Sequence, residues 1–306
     1  MSDNFNSIKE FVDDIGGKYA QNIAYRFFRD EVIEDRTYAD LKRDAYGLAS
    51  ALVQKGLKSE HIAILGSTSY EWIVSFLAVI LSGNVVIPID KMLLEKEMMF
   101  LFSEGDVSAI LYDNEFEETA KKAKKEIKKI KNIFDMSSEG FKSLFKTKEE
   151  ELPITDPEGL CEILFTSGTT GVSKGVMISQ KNIISNLKEI HRLDYASNFA
   201  GPKVVLSVLP IHHTFELTVD NLGILCYGAT ICINDKIENI AANMNIFKPS
   251  VILIVPAIAE ALYKKIKDSM ADPKTARKIK TGKRLAKAAK VVGMDARRTI
   301  FKSLLE

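Results

Sequence analysis

The sequence predicts an α/β protein built on mainly parallel sheets flanked by helices. Two observations carry this: short apolar runs such as HIAILG, VVIPID and SAILYD read as buried strands, and segments with helical periodicity alternate with them. Such alternation favours right-handed βαβ crossovers. A chain of 306 residues has room for two ordinary domains or one large one.

In TYADLKRDAYGLASALVQKGL the apolar positions Tyr38, Leu41, Ala45, Leu48 and Leu52 recur at helical spacing, and Gly56 is placed as a stop signal. HIAILG follows as a strand. A helix is expected from about Ser69 to Leu81, ending at Gly83, then a strand through VVIPID whose Pro88 suits a strand end or edge, then a strand at 108 to 113. EFEETAKKAKKEIKKIKNIF, 115 to 134, reads as a solvated helix with Ala120, Ala123, Ile127 and Ile130 on its apolar face. A polar connection ending near Gly159 is the expected boundary between a first α/β subdomain, 1 to 159, and a second, 160 to 306.

Beyond it the rhythm resumes with GLCEILFTS as strand and loop, KNIISNLKEIHRL as helix, KVVLSVLP as strand and FELTVDNLGILCYG as helix. ATICIN, an amphipathic helix and VILIVP follow, and the chain reads as helical from Ala257 onward. Apolar residues at 46%, charged residues at 27% and a net charge of +1 are ordinary for globular proteins, so bulk charge names no partner. Cys161, Cys226 and Cys232 lie in apolar surroundings without C-x-x-C spacing and suit a reducing cytoplasm. The N-terminus does not read as a secretory signal. WIVSFLAVIL is too short to span a bilayer.

The stretch TSGTTGVSKG, 166 to 175, is where chemistry concentrates. Glycines at 168, 171 and 175 permit close approach of backbone to ligand and positive φ, while the hydroxyls of Thr166, Ser167, Thr169, Thr170 and Ser173 and the Lys174 ammonium supply donors. Dense donors with no carboxylate between Phe165 and Lys181 describe an anion site, and polyphosphate is the natural guest. The spacing is not GxxxxGK[ST], because Ser173 and Gly175 stand where that motif needs Gly and Ser or Thr. On the residues alone, a Gly/Thr linker is the alternative. The run is expected to follow a buried strand and to precede a helix capped by Ser179.

TSGTTGVSKG resembles, almost residue for residue, the phosphate-binding signature of the adenylate-forming superfamily: acyl-CoA synthetases, firefly luciferase and nonribosomal peptide adenylation domains. Ser173 replaces the usual proline. VLPIHHTFELT and VILIVPAIAEALYKKI resemble segments of the long-chain acyl-CoA synthetases, and upstream RTYADL and YEWIVSFLAVILSGNVVIPID also match the family. The resemblance implies layered sheets forming an incomplete N-terminal domain. It also implies a two-step reaction: a fatty acid carboxylate attacks the α-phosphate of ATP, assisted by Mg²⁺, and the CoA thiol then displaces AMP. Thr166, Ser167, Gly168, Thr169, Thr170, Gly171 and Lys174 would bind phosphate, His213 and Lys174 would be catalytic, and His213 with Phe215 would contact the acyl substrate. His212 is expected to matter less, Glu216 has no assigned role, and no metal ligand is assigned.

The family's adenine, hinge and catalytic-lysine motifs and its C-terminal domain are not visible before FKSLLE, so the expectation is a truncated domain that is inactive alone. Alternatives are activation of another carboxylate and a non-catalytic phosphate- or nucleotide-binding module. Residues 271 to 306 carry eleven Lys or Arg against three Asp or Glu. They read as solvated helices, with contact to an anionic membrane or to nucleic acid as the functional alternatives. The expected location is cytoplasmic, peripheral at the membrane if the tail binds lipid, with small-molecule partners and no nucleic acid.

Overall fold

The computed structural model describes residues 5–166, 173–193 and 203–271, with a few single positions beyond. The basic tail therefore lies almost wholly outside the described residues. The chain divides into one compact unit, Met1–Ile252, and a second, Leu253–Glu306. In the second, one helix runs from Pro256 to Ala271.

Among the described residues the larger unit holds eleven strands in two sheets. In chain order they are β1 (Ile23–Arg29), β2 (Val32–Thr37), β3 (His61–Leu65), β4 (Val85–Ile89), β5 (Val107–Tyr112), β6 (Asn132–Asp135), β7 (Leu160–Thr166), β8 (Lys174–Ser179), β9 (Val204–Ser207), β10 (Thr230–Ile233) and β11 (Val251–Ile252). One sheet has the order β11-β9-β10-β1-β2, the other β6-β5-β3-β4-β7-β8. Pairing is parallel except for β1 with β2 and β7 with β8, so each sheet ends in one antiparallel edge strand. Both sheets draw strands from either side of Gly159. The polar connection there links strands within the layers, and the division expected at that point separates neither sheet.

The helices form where the pattern places them. In α2 (Tyr38–Gln54), Thr37 and Asp40 close a capping box, and Gly56 at φ +78° ends the helix, with the Leu57 N–H reaching back to Leu52 O at 3.1 Å. In α3 (Tyr70–Leu81) Ser69 caps the start and every residue is buried. That explains an apolar run too short for a bilayer: α3 lies inside the protein, and no helix among the described residues is long and apolar enough to cross a membrane.

α1 (Ile8–Lys18), α2 and α3 share one core with β1, β10, β3 and β5, so these helices fill the space between the two sheets. α4 (Glu95–Glu104) and α5 (Glu117–Glu126) cover the other face of the six-stranded sheet through Met98, Phe102, Ala120 and Ala123, and a short helix, α6 (Glu139–Ser143), follows β6. The result is an α/β protein of layered, mainly parallel sheets.

Three local expectations are corrected. α5 stops at Glu126, and Asn132–Asp135 pairs with β5 as a strand, because Ile133 belongs to the sheet's apolar face while the lysines belong to solvent. Pro88 sits on an interior strand. It is accommodated because β4 meets β7 only at Val86 opposite Glu162, two residues before the proline. Phe215–Gly223 is wound as a π-helix rather than an ordinary α-helix.

Candidate active site at the strand ends

A cavity of about 910 Å³ opens where β4 and β7 end and where the turn after β9 arrives from the other sheet. The carboxyl ends of parallel strands, where side chains from different strands converge, are the usual location for such a site. Its floor is apolar, from Leu93, Phe100, Leu101 and Phe165, and its rim is polar, from Asp90, Lys96, Thr166, Ser173, His212 and His213. Lys96 and Phe100 stand one helical turn apart on α4, which places a charged and an apolar group on one wall.

The donor-rich stretch does not run from strand to helix as expected. It joins β7 to β8 as a hairpin, with Phe165 opposite Gly175 and Thr166 opposite Lys174 as the last cross-strand pair. Six residues of antiparallel strand, Lys174–Ser179, intervene before α7 (Gln180–Arg192). Ser179 does cap that helix, its side chain accepting from the Asn182 N–H, but the helix N-terminus lies at the far end of β8 from the loop.

Thr166 and Ser173, at the two feet of the loop, line the cavity, and Lys174 is exposed. Ser167, Gly168, Thr169, Thr170 and Gly171 lie outside the described residues. Gly175 has an ordinary φ. What it supplies is clearance, since a Cβ there would come within 3.0 Å of Ile163 and 3.4 Å of Phe165.

The histidine turn reverses one expectation. Both His212 and His213 line the cavity, their rings 4.1 Å apart. His213 is exposed, whereas His212 is mostly buried, its Nε2 shielded from solvent without a hydrogen-bond partner and 3.6 Å from Asp90 Oδ1. That separation is too long for a hydrogen bond. Burial holds the His212 imidazole below its ordinary pKa, aided by neighbouring His213 and opposed by Asp90, so His212 is neutral at neutral pH. Asp90 is itself fixed by the Met92 N–H at 2.8 Å.

Phe215 is half exposed, at 50%, and is not on the cavity wall. The structure brings together Thr166, Ser173, His212 and His213. It does not bring Phe215 to them. Sequence reasoning missed the α4 contribution, Lys96 and Phe100, because α4 has no motif of its own.

Just beyond the histidines, Glu216 is completely buried and accepts a hydrogen bond from the Ser207 hydroxyl at the end of β9. The Leu217 N–H donates to His213 O at 3.0 Å, and the His213 N–H donates to Pro210 O at 3.1 Å. The Thr68 hydroxyl after β3 lies 3.5 Å from Leu209 O, so the turn also touches the six-stranded sheet.

The layered α/β fold and the glycine-rich hairpin beside the cavity define the class. The chain belongs to the AMP-binding enzyme family, whose model matches residues 14–300. Among curated relatives, long chain acyl-CoA synthetase 4 of Arabidopsis thaliana is 26% identical over 288 residues, covering 86% of this chain and 41% of the relative. Long-chain-fatty-acid–CoA ligase 1 of Homo sapiens is 24% identical over 269 residues, with shares of 78% and 38%. The chain thus spans about two fifths of the length of these relatives. Among solved structures, a long-chain-fatty-acid-CoA ligase from Archaeoglobus fulgidus superposes with a TM-score of 0.74 at 19% identity, covering 86% of this chain and 54% of that one. At that identity the likeness establishes the fold.

Proposed function

We propose that this chain forms the phosphate-gripping and acyl-binding part of an ATP-dependent long-chain fatty acid–CoA ligase. The single observation that carries the reading is the junction in one cavity of an apolar floor, a rim with His212 and His213, and the feet of the signature hairpin, Thr166 and Ser173. An acyl chain suits the floor. A carboxylate and phosphates suit the rim.

In this reading Lys174 and the hydroxyls of Thr166, Ser167, Thr169, Thr170 and Ser173 hold the β- and γ-phosphates, with Gly168 and Gly171 giving the backbone room. As the fatty acid carboxylate oxygen bonds to the α-phosphorus and pyrophosphate leaves, these donors meet the charge that develops on the leaving oxygens. His213, exposed at the rim, orients the acyl carboxylate, and neutral His212 offers an unpartnered ring nitrogen beside it. Leu93, Phe100, Leu101 and Phe165, rather than Phe215, carry the alkyl chain. The CoA thiol then displaces AMP from the acyl carbon.

Among the described residues no group of three or more His, Cys, Asp or Glu could hold a metal ion. The donor set therefore fits phosphate oxygens, and a Mg²⁺ would be carried in mainly by the nucleotide, neutralising charge between its phosphates. We assign the complete two-step reaction to a protein longer than these 306 residues, as in the relatives, and expect no exchange from this segment alone.

Palmitate-dependent ATP–pyrophosphate exchange by the longer protein tests the reading. Exchange is expected, and Lys174→Ala should lower it at least about tenfold, the equivalent of about 1.4 kcal/mol. Exchange with a short or aromatic carboxylate but not with palmitate would move the substrate class, and no exchange with any carboxylate would overturn the function.

A further inference from the structure

The π-helix Phe215–Gly223 carries Glu216, Asp220 and Asn221. In a helix closed by i→i+5 bonds, positions four and five apart share a face, so these polar groups are stacked together. Both carboxyls are completely shielded, at 0% exposure. Glu216 Oε1 accepts from the Ser207 hydroxyl and from Asn221 Nδ2 at 3.4 Å. Glu216 Oε2 and both oxygens of Asp220 have no donor.

Two ionised carboxylates buried together with three orphaned acceptors are an untenable arrangement, since each unpaired buried charge costs several kcal/mol. No compensating cation is at hand, for among the described residues neither carboxyl has an ion pair. Among the described residues, the printed partners of the pair's segment are polar or apolar. From β1 the Tyr25 phenol lies 3.4 Å from Asn221 Oδ1, β9 supplies Ser207, and α7 presents Ile190 to Gly223. A proton is the smallest ligand that repairs the site, because it turns one orphaned oxygen of Asp220 into a donor to Glu216.

We infer that Glu216 and Asp220 hold a single proton between them, and that the Asp220–Glu216 hydrogen bond so formed makes Glu216 the positioning residue for the His212–His213 turn. Glu216 ties both ends of that turn: Ser207, which donates to it, lies before the histidines, and its own backbone lies in the π-helix after them. With the proton in place Glu216 keeps its charge for Ser207. Without it, two adjacent anions repel and the latch on the turn loosens. Burial pushes both carboxyls up from their ordinary range, Asp220 further because the charge of Glu216 adds to it. The proton therefore stays at neutral pH and leaves as the solution becomes alkaline.

The importance of the turn for catalysis rests on the proposed reaction, but the shared proton does not, and its test needs neither ATP nor fatty acid. The infrared difference spectrum of wild type minus Asp220→Asn at pH 7 should contain a protonated-carboxyl stretch that shifts in D₂O; subtraction removes the other buried acids, Glu162 among them. Glu216→Gln, which replaces the charged acceptor of that proton by a neutral amide, should keep the band but shift its frequency. In NMR titrations the His212 and His213 ring resonances of wild type should move a second time above about pH 8. That movement should be absent from Asp220→Asn, which keeps an N–H donor to Glu216 at every pH, while Asp220→Leu should show displaced histidine shifts even at pH 7.

A wild type minus Asp220→Asn spectrum without the band, or a band at the same frequency in Glu216→Gln, would overturn the shared proton. Histidine titrations identical in wild type, Asp220→Asn and Asp220→Leu would overturn the positioning role. Failure of pyrophosphate exchange would leave these readings untouched.

Discussion

The β7–β8 hairpin and the turn between β9 and the π-helix reach the same cavity by different means. The hairpin is held by backbone pairing along its whole length, and β8 stays largely exposed, with Met177 at 69%. The turn has little regular structure and is held by side chains: Ser207, Glu216 and Asn221 are all buried. The ladder steadies the loop's two feet, Thr166 and Lys174, through backbone bonds that leave their side chains out of the pairing. Two histidines that must hold a set direction are steadied by polar bonds kept away from water, where they are stronger and where a missing partner costs more.

Four substitutions probe that contrast, beginning with the largest effect. Glu162, at the root of the hairpin, is 3% exposed, has one oxygen without a partner and is pushed up to about 8 by burial. Its folded-state pKa is raised, so its contribution to stability is fully present below about pH 4 and is lost as pH rises through about 8. Glu162→Gln should be more stable than wild type at pH 7 by on the order of 3 kcal/mol in urea unfolding and should converge with it near pH 4. Equal stability at both pH values would mean that the hairpin carries no buried charge cost.

Ser207→Ala removes a buried donor to Glu216 on the other wall and should cost about 2 kcal/mol; a loss under about 0.5 kcal/mol would show that side-chain bonds do not hold the turn. Ser179→Ala, which deletes the cap where β8 passes into α7, should cost about 1 kcal/mol in the same assay. The smallest effect is expected from His212→Asn. Because burial lowers the His212 pKa, the unfolded chain binds a proton that the folded protein refuses, and wild type should lose stability as pH falls through about 6.5. His212→Asn should lose less over that range, and parallel curves would place His212 in a wetter setting than its burial indicates.

The layered α/β order was legible in HIAILG, VVIPID and SAILYD because strands buried on both faces need continuous apolar runs. β2 was not, since VIEDRT is an edge strand whose charged residues pair across β1, as Arg26 does with Asp35 at 2.7 Å. β8 escaped notice because the signature ends inside it: Lys174 and Gly175 belong to the motif and to the strand at once. The relation between the histidines was also beyond sequence. HH is symmetrical as letters, and only the packing that buries His212 and bares His213 distinguishes them. For Glu216 a faint signal existed, two carboxyls and an asparagine spaced four and five apart in an otherwise apolar segment.

The last rung of the hairpin, Thr166 beside Lys174, gives the lysine an address rather than merely a neighbourhood. Alternate residues of a strand point to opposite faces, so inserting one residue between Gly175 and Ser179 would press β8 to slip by one place or to bulge. A slip would seat Gly175 across from Thr166 and turn the lysine side chain to the opposite face, though every residue of the loop itself remained unchanged. The stretch that follows the signature, VMIS, is therefore a ruler: its count of residues, more than their identity, decides which way the one cation of the loop looks.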